Sequence, residues 1–345
     1  MVYFNNDYSE GCHEAVLRLL TQTNMEQTPG YGVDIYCERA ASMIRNLCAD
    51  ETLSVHFLTG GTQTNLTVIS AALRPHQGVI GAQSAHVQVH ETGAIEATGH
   101  KVLSVPSSDG KITAEQIYRE VTAHFRDEAA EHMVQPKMVY ISNPTELGTI
   151  YKRSELEEIS KTCRELGLYL FLDGARLGYG LTARDNDVTM TDLARLCDVF
   201  YIGGTKVGAL FGEAVVISNP AISADFRYLI KQHGGMLAKG RLLGIQFDVL
   251  FEDGLYFEIS KHAVEQAMRI RSAFAAKGVK MRYDSMTNQQ FPILSDEVLA
   301  KLGEKYAYSF WEKMDDTTSA VRFCTSWATK TEAVDELLAD IDRVL

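Results

Sequence analysis

LYLFLDGARLGYG, residues 168–180, decides how this chain reads. Leu168 to Leu172 is an almost unbroken apolar run, the pattern of a strand in a parallel sheet covered on both faces. The run ends at Asp173 and is followed by Gly174, Ala175 and Arg176. In open α/β sheets ligands bind at the carboxyl ends of the strands. A carboxylate placed there suits a protonated ring nitrogen, and an arginine three positions later suits a carboxylate. Gly174 and Ala175 leave room for something flat. The same residues would also serve a plain turn, with Asp173 capping it and Arg176 as its partner.

The segments on either side extend the pattern. Ser154 with Glu157 reads as a capping box opening a helix whose apolar positions 156, 159, 163 and 166 share one face, with Gly167 to close it. KMVYISN, GVIGA, KVLSVP and VHFL read as further strands. Thr113 with Gln116 boxes a helix carrying Ile117, Val121 and Phe125, and another helix is expected from about His86 to Thr98. This alternation predicts an α/β fold with helices on both sheet faces. From about residue 246 the pattern changes. A long helical segment is followed by VKMRYD, QQFPILS and AVRFCTSW as strand-like runs, and Thr329 with Glu332 boxes a last helix. We therefore expect a large domain over 1–245 and a small α+β domain over 246–345.

Downstream, YIGGTKVGAL (201–210) places Lys206 among small and apolar residues with no acid within six positions. Two strand-like runs flank it, so a tight loop near the interior is expected, and a buried ammonium needs a partner or loses its proton. A lysine reaching out to solvent is the plainer alternative. Upstream, FLTGGTQTN (57–65) follows a strand with Gly60 and Gly61 and then Thr62, a good helix N-cap. Backbone amides at a helix start can cradle a phosphate without a lysine, although an ordinary strand-to-helix turn looks the same. Neither the Walker spacing nor a G-x-G-x-x-G fingerprint is present. In SAHVQVHETGA, His86 and His90 share a helix face and Glu91 follows. No third metal ligand is evident, so no metal site is expected.

The 345 residues, 46% hydrophobic and 23% charged, are ordinary for a globular protein with a substantial core. The net charge of −12 argues against nucleic acid or an anionic membrane as the main partner. Cys12, Cys37, Cys48, Cys163, Cys197 and Cys324 are scattered, with no C-x-x-C pair. Free thiols in a reducing cytoplasm are the simple account. The first residues, MVYFNNDYSEG, do not read as a signal peptide, and no apolar run has membrane-spanning length.

The order of these motifs is more specific than any one of them: a glycine loop, a histidine, strand-Asp-x-x-Arg, then a lysine in a small-residue loop. It resembles the fold-type I pyridoxal-phosphate enzymes and, within them, the threonine aldolase and β-eliminating lyase family. The resemblance is strongest from 57 to 245. His86 with Glu91-Thr92-Gly93-Ala94 matches the His-x-x-x-x-Glu-x-Gly-Ala segment, Asp173-Gly174-Ala175-Arg176 the Asp-Gly-Ala-Arg motif, and Gly204-Thr205-Lys206 the Schiff-base lysine. Asn6-Asp7 falls where the family has Ser-Asp, Tyr31-Gly32 on a Tyr-Gly pair, and Arg322 on the C-terminal substrate arginine. Three features depart from the pattern. Leu237 stands where an arginine is usual, with Lys239 or Arg241 as replacements, ISNPTELGT stands where Thr-His is frequent, and Asn6 replaces serine.

The resemblance implies a fold-type I chain bound to pyridoxal 5′-phosphate that cleaves L-threonine, L-allo-threonine or a related β-hydroxy amino acid to glycine and an aldehyde. Another fold-type I β-eliminating lyase or an aminotransferase is the alternative, and a cofactor-binding protein without catalysis a further one. In this reading Gly60, Gly61 and Thr62 hold the cofactor's phosphate, and Thr205 and Arg176 are further cofactor-binding residues. Lys206 bonds the cofactor, Asp173 faces its ring nitrogen, and His86 lies on the ring. Arg176, Arg322, Asn6, Tyr31 and His90 serve the substrate, with His86, His90 or a water as base. A homodimer or homotetramer with sites at the interface is implied, Tyr31 reaching across.

Overall fold

The central element is a seven-stranded sheet in the order Ser54–Leu58, Glu213–Ile217, Val199–Gly203, Tyr169–Asp173, Gln135–Ser142, Gln77–Ala82 and Val102–Val105. The computed structural model describes residues 1–345. All strands run parallel except Glu213–Ile217, which is antiparallel to both neighbours. That one reversal is what allows a short hairpin, not a helical crossover, to carry Lys206. Strands Gln77–Ala82, Val199–Gly203 and Glu213–Ile217 are buried throughout, as expected for a sheet with helices on both faces.

The ends of two central strands meet glycine to glycine. Gly203 donates its amide to the Gly174 carbonyl at 2.9 Å. A Cβ on Gly174 would lie 1.9 Å from the Tyr201 carbonyl oxygen, and one on Gly203 would lie 2.2 Å from that of Ala175. No side chain fits at either position, so the strand ends carrying Asp173 and the Lys206 loop are held at close range.

Beyond the sheet, helix Arg241–Phe251 packs on helix Ile35–Cys48. A one-turn 3₁₀ segment at Glu252–Gly254 separates it from the long helix Leu255–Ala276. Strands Ile293–Ser295, Thr318–Cys324 and Ser309–Lys313 form an antiparallel sheet, extended by Gln289–Gln290. A second core of Phe4, Ile270, Phe274, Leu302, Phe323 and Leu337 among others lies beneath it. Strand Val2–Tyr3 pairs with Tyr306–Ala307, so the chain's first residues join its last quarter.

Several expected element ends move. The box at Thr113 and Gln116 is present, but the helix expected from Ser154 is Arg153–Glu165, capped at Lys152 through Glu155. The last helix is Thr331–Val344, because Thr329 Oγ1 accepts the Ser326 amide in the preceding turn instead of capping. The helix expected over 86–98 is two short ones, His86–Val89 and Ala94–Ala97. They are split by Thr92 (φ 54°) and Gly93 (φ 73°), which turn Glu91 inward. VKMRYD forms no strand, only an isolated bridge from Met281 to Pro292.

Asp7, fully buried, ties three regions together. Its carboxylate accepts Arg176 Nε at 2.7 Å and Nη2 at 3.0 Å, and Asn288 Nδ2 at 3.0 Å. Burial pushes this carboxyl up, yet Arg176 and Lys206, with those hydrogen bonds, outweigh it and hold it below the ordinary carboxylate range. Its stabilising contribution is therefore present above that range and is lost as pH falls through the lowered value.

Two stability outcomes follow. Gly174→Ala should destabilise the fold by about 1–3 kcal/mol through overpacking, measured by denaturant titration. Asp7→Asn strands the Arg176 charge and should lower unfolding free energy by about 3–5 kcal/mol at neutral pH. Its deficit relative to the natural chain should narrow as the titration is repeated at falling pH below the carboxylate range.

Candidate active site

A cavity of about 270 Å³ opens at the carboxyl ends of the parallel strands. Lys206, Asp173, Arg176, His86, Thr205 and the loop Thr59 to Thr62 line it together. Five expected residues from distant parts of the chain thus converge with the glycine loop on one space.

Lys206 lies in the loop between Val199–Gly203 and Glu213–Ile217. The loop is braced by its own backbone: Gly204 and Thr205 donate to the Gly212 carbonyl, and Val207 and Ala209 to that of Gly204. Tyr179 Oη donates to the Lys206 carbonyl at 2.5 Å. Burial, reinforced by Arg176, lowers the Lys206 pKa, while Asp7, Asp173 and Glu213 oppose this. Acids absent from the local sequence therefore reach this lysine from three other segments. Glu213 accepts the Gly204 amide at 3.0 Å and Thr205 Oγ1 at 2.9 Å, and burial pushes its carboxyl up to about 8 against the pull of Lys206.

Asp173 is 4% exposed and accepts three donors. Its Oδ1 takes the Ala175 amide at 2.9 Å, and its Oδ2 takes Tyr140 Oη at 2.5 Å and Asn65 Nδ2 at 3.2 Å. Asn65 also donates to Glu91 Oε1 at 2.7 Å, and His86 Nδ1 is 2.8 Å from that same oxygen. The residues His86, Glu91, Asn65 and Asp173 therefore form one connected network. Neither Asn65 nor Tyr140 stood out in the sequence, although Asn65 closes the TGGTQTN stretch.

The glycine loop opens helix Gly61–Ala72, with Gly60 and not Thr62 at the N-cap. The first intrahelical bond is from Thr64 to the Gly60 carbonyl. The amides of Gly61, Thr62 and Gln63 thus carry the free donors of a helix start. Nothing lies within 4 Å of where a Gly60 Cβ would stand.

Arg176, in the lining, already grips Asp7 with Nε and Nη2, leaving Nη1. Other expected residues stand apart. Arg322 donates to the Gln289 side chain at 3.1 Å and the Asn5 carbonyl at 2.9 Å, and its Nε is buried without a partner. It is outside the cavity lining, as are His90, Asn6 and Tyr31. The His90 ring is 5.6 Å from that of His86, and burial, with His86 and Arg322, lowers its pKa. Asn6 Oδ1 accepts the Tyr8 amide and Ser9 Oγ, and it is Tyr8 that reaches the cavity. Tyr31 is 49% exposed on another face, beside Arg227, Tyr228 and Lys231. Near Leu237, Arg241 donates to the Glu26 and Asn24 carbonyls.

Comparison with known proteins places this geometry. The chain is 33% identical to a low specificity L-threonine aldolase from Pseudomonas sp. (strain NCIMB 10558), covering 99% of this chain and 97% of the relative. The solved structure of Leishmania major threonine aldolase is 47% identical, with a TM-score of 0.97 and 100% of both chains covered. An aspartate aminotransferase from Thermus thermophilus, 16% identical with a TM-score of 0.72, covers 100% of this chain and 92% of its own and shares the fold. The architecture is fold-type I. The family model for beta-eliminating lyases matches residues 6–310, and the chain belongs to that family of lyases.

Proposed function

We propose that the chain is a pyridoxal 5′-phosphate-dependent aldolase that cleaves L-threonine, L-allo-threonine or a related β-hydroxy-α-amino acid to glycine and an aldehyde. The observation that carries this reading is the convergence of Lys206, Asp173 and the free amides of Gly61 and Thr62 on one cavity. These residues fit the cofactor. A dianionic phosphate suits unpaired helix-start amides beside an open Gly60, with Thr205 as a further neighbour. A pyridinium suits a buried carboxylate, and an aldehyde suits an amine whose proton is easily lost. When bound, pyridoxal phosphate supplies an electron sink for a carbanion at the substrate's Cα.

The chain's own residues do the rest. Asp173, held in place by its three donors, would keep a proton on the cofactor's ring nitrogen. Lys206 provides the attachment nitrogen. His86, anchored at Nδ1 by Glu91, presents its ring to the cavity as a stacking face. Arg176, fixed by Asp7, offers Nη1 to a substrate carboxylate, and Arg322, Asn6 and His90 are the further substrate residues of this reading. Clamping the carboxylate fixes which Cα bond is free to open. A homodimer or homotetramer is part of this reading. Exposed Tyr31, Val33, Ile35 and Tyr228 form the face through which Tyr31 would serve a neighbouring site. The division at 245/246 and a cytoplasmic setting belong to the same proposal; no helix is long and apolar enough to cross a membrane.

A β-eliminating lyase is the second reading, favoured by the family's description. Products separate the two: glycine with an aldehyde from L-threonine, L-allo-threonine or phenylserine identifies the aldolase, and pyruvate with ammonia from cysteine or tryptophan the eliminating lyase.

Borohydride reduction of the holoenzyme followed by peptide mapping should place a pyridoxyl group on Lys206, and Lys206→Ala should carry none and show no turnover. A label elsewhere, or full turnover by the variant, would refute the reading. Asp173→Ala should keep cofactor binding in part while cleavage slows by about 10²–10⁴-fold, the scale expected when a key electrostatic partner of the reacting centre is lost. A rate near that of the natural chain in steady-state assays would remove Asp173 from its role.

A further inference from the structure

Glu146 has no part in the site as described so far. It belongs to ISNPTELGT, directly after the strand Gln135–Ser142, and lines the same cavity as Lys206 and Asp173. Its Oε1 is held from two sides: it accepts the His86 amide at 3.0 Å and Ser142 Oγ at 2.7 Å. Its Oε2 accepts no hydrogen bond from the protein, yet it is not one of the buried, partnerless oxygens. A carboxyl oxygen that is neither bonded nor enclosed, on a residue lining a cavity, faces that cavity. The side chain is thus fixed at one oxygen and free at the other.

The structural work of Glu146 needs only one acceptor. A neutral amide oxygen would take the same two bonds, so a carboxyl at this position has a capacity that the packing does not use. That capacity is to bind a proton at Oε2. The surrounding titratable groups are Asp173 at the end of the neighbouring strand, Tyr140 on the strand before Glu146, Tyr151 after its loop, and His86. Burial pushes the Glu146 carboxyl up, and Asp173, the one carboxylate among these groups, adds to it against the hydrogen bonds that Glu146 accepts. The Glu146 pKa is raised above the ordinary glutamate range, toward the region where a general base works best near neutral pH.

Resting on the aldolase reading above, we infer that Glu146 is a further catalytic residue of this reaction, taking the proton of the substrate's β-hydroxyl at Oε2 as the Cα–Cβ bond opens. The O–H bond breaks and its proton bonds to Oε2. Its electron pair becomes the π bond of the departing aldehyde. The Cα–Cβ pair stays with Cα, a proton delivered there completes glycine, and the proton on Oε2 returns to solvent. No oxidant or reductant enters. The cavity holds a rival in His86, whose Nδ1 is bound to Glu91 but whose Nε2 is free; the test separates them.

The test compares the natural holoenzyme with Glu146→Gln, which keeps an Oε1 acceptor for the His86 amide and Ser142. Three measurements are made: kcat and KM for L-threonine cleavage, exchange of the glycine α-proton in D₂O, and the cofactor Kd by quenching of tryptophan fluorescence. Glycine has no β-hydroxyl, so its exchange does not need this base. Cleavage should fall at least about 100-fold in kcat, while exchange and cofactor Kd stay within about threefold. The acidic limb of the natural enzyme's kcat/KM profile, lying above the ordinary glutamate range, should be absent from the residual activity. Glu146→Ala, assayed with and without formate, covers failure of the amide variant to fold; formate should recover cleavage by about tenfold or more. Cleavage by Glu146→Gln within threefold of the natural rate overturns the proposal and leaves His86 or water as base. Equal losses of exchange, cofactor affinity and cleavage also overturn it, assigning Glu146 to support of the His86 segment. If the natural holoenzyme cleaves no β-hydroxy amino acid, the aldolase reading itself has failed, which the unmutated control shows on its own.

Discussion

A carboxylate almost sealed from water at the end of a central strand is the constraint from which the rest of this site follows. Asp173 is accommodated inside the protein because donors from three elements converge on it. These are the Ala175 amide in the turn after its own strand, Tyr140 from the next strand, and Asn65 from the helix opened by the glycine loop. Each donor fixes the element that carries it. Asn65 orients the helix whose first amides face the cavity and, through Glu91, the segment carrying His86. The tight glycine contact between Gly174 and Gly203 sets the remaining distance, from Asp173 to the lysine loop. A change at any of these points would be felt at all of them.

The lysine illustrates how charge is balanced at a distance. Its neighbours in sequence are small because the hairpin turns tightly and Gly204 packs against Phe247 and the Gly212 carbonyl. Its counter-charges arrive from Asp7, Asp173 and Glu213. Glu213 sits seven positions away, on the strand that runs against the others, and its two hydrogen bonds brace the loop it balances. Burial draws both Lys206 and Glu213 toward their neutral forms, so the loop can exist without a full charge on either side chain.

What could be read from the sequence is what local chain geometry encodes. An apolar run ending in Asp173, glycines after a strand at Gly60 and Gly61, and a lysine between two strand-like runs each place a functional group at a strand end, and the structure brings these together. Element ends that depend on competition between neighbours were less legible. Ser154 and Thr329 have the right side chains for N-caps, but Lys152 with Glu155 and the turn closed by Thr329 itself win those positions. Least legible were residues recruited by the tertiary fold. Asn65, Tyr140, Tyr8 and Glu146 look like ordinary polar positions in a helix, a strand and two loops, and nothing in their spacing shows that one cavity collects them. Asp7 was visible only as part of a matched pair of letters; that it neutralises Arg176 requires knowing that the chain's start lies against position 288.

That last contact bears on when the protein can become active. Asp7 and Asn288 are separated by 281 residues of chain, and Phe4 lies in a core otherwise built from residues beyond 269. During synthesis the leading segment must wait, unanchored, until nearly the whole polypeptide has left the ribosome. A nascent chain halted before the final hundred residues would hold every expected cofactor contact in its sequence, yet would lack the closure that seats the arginine beside the lysine.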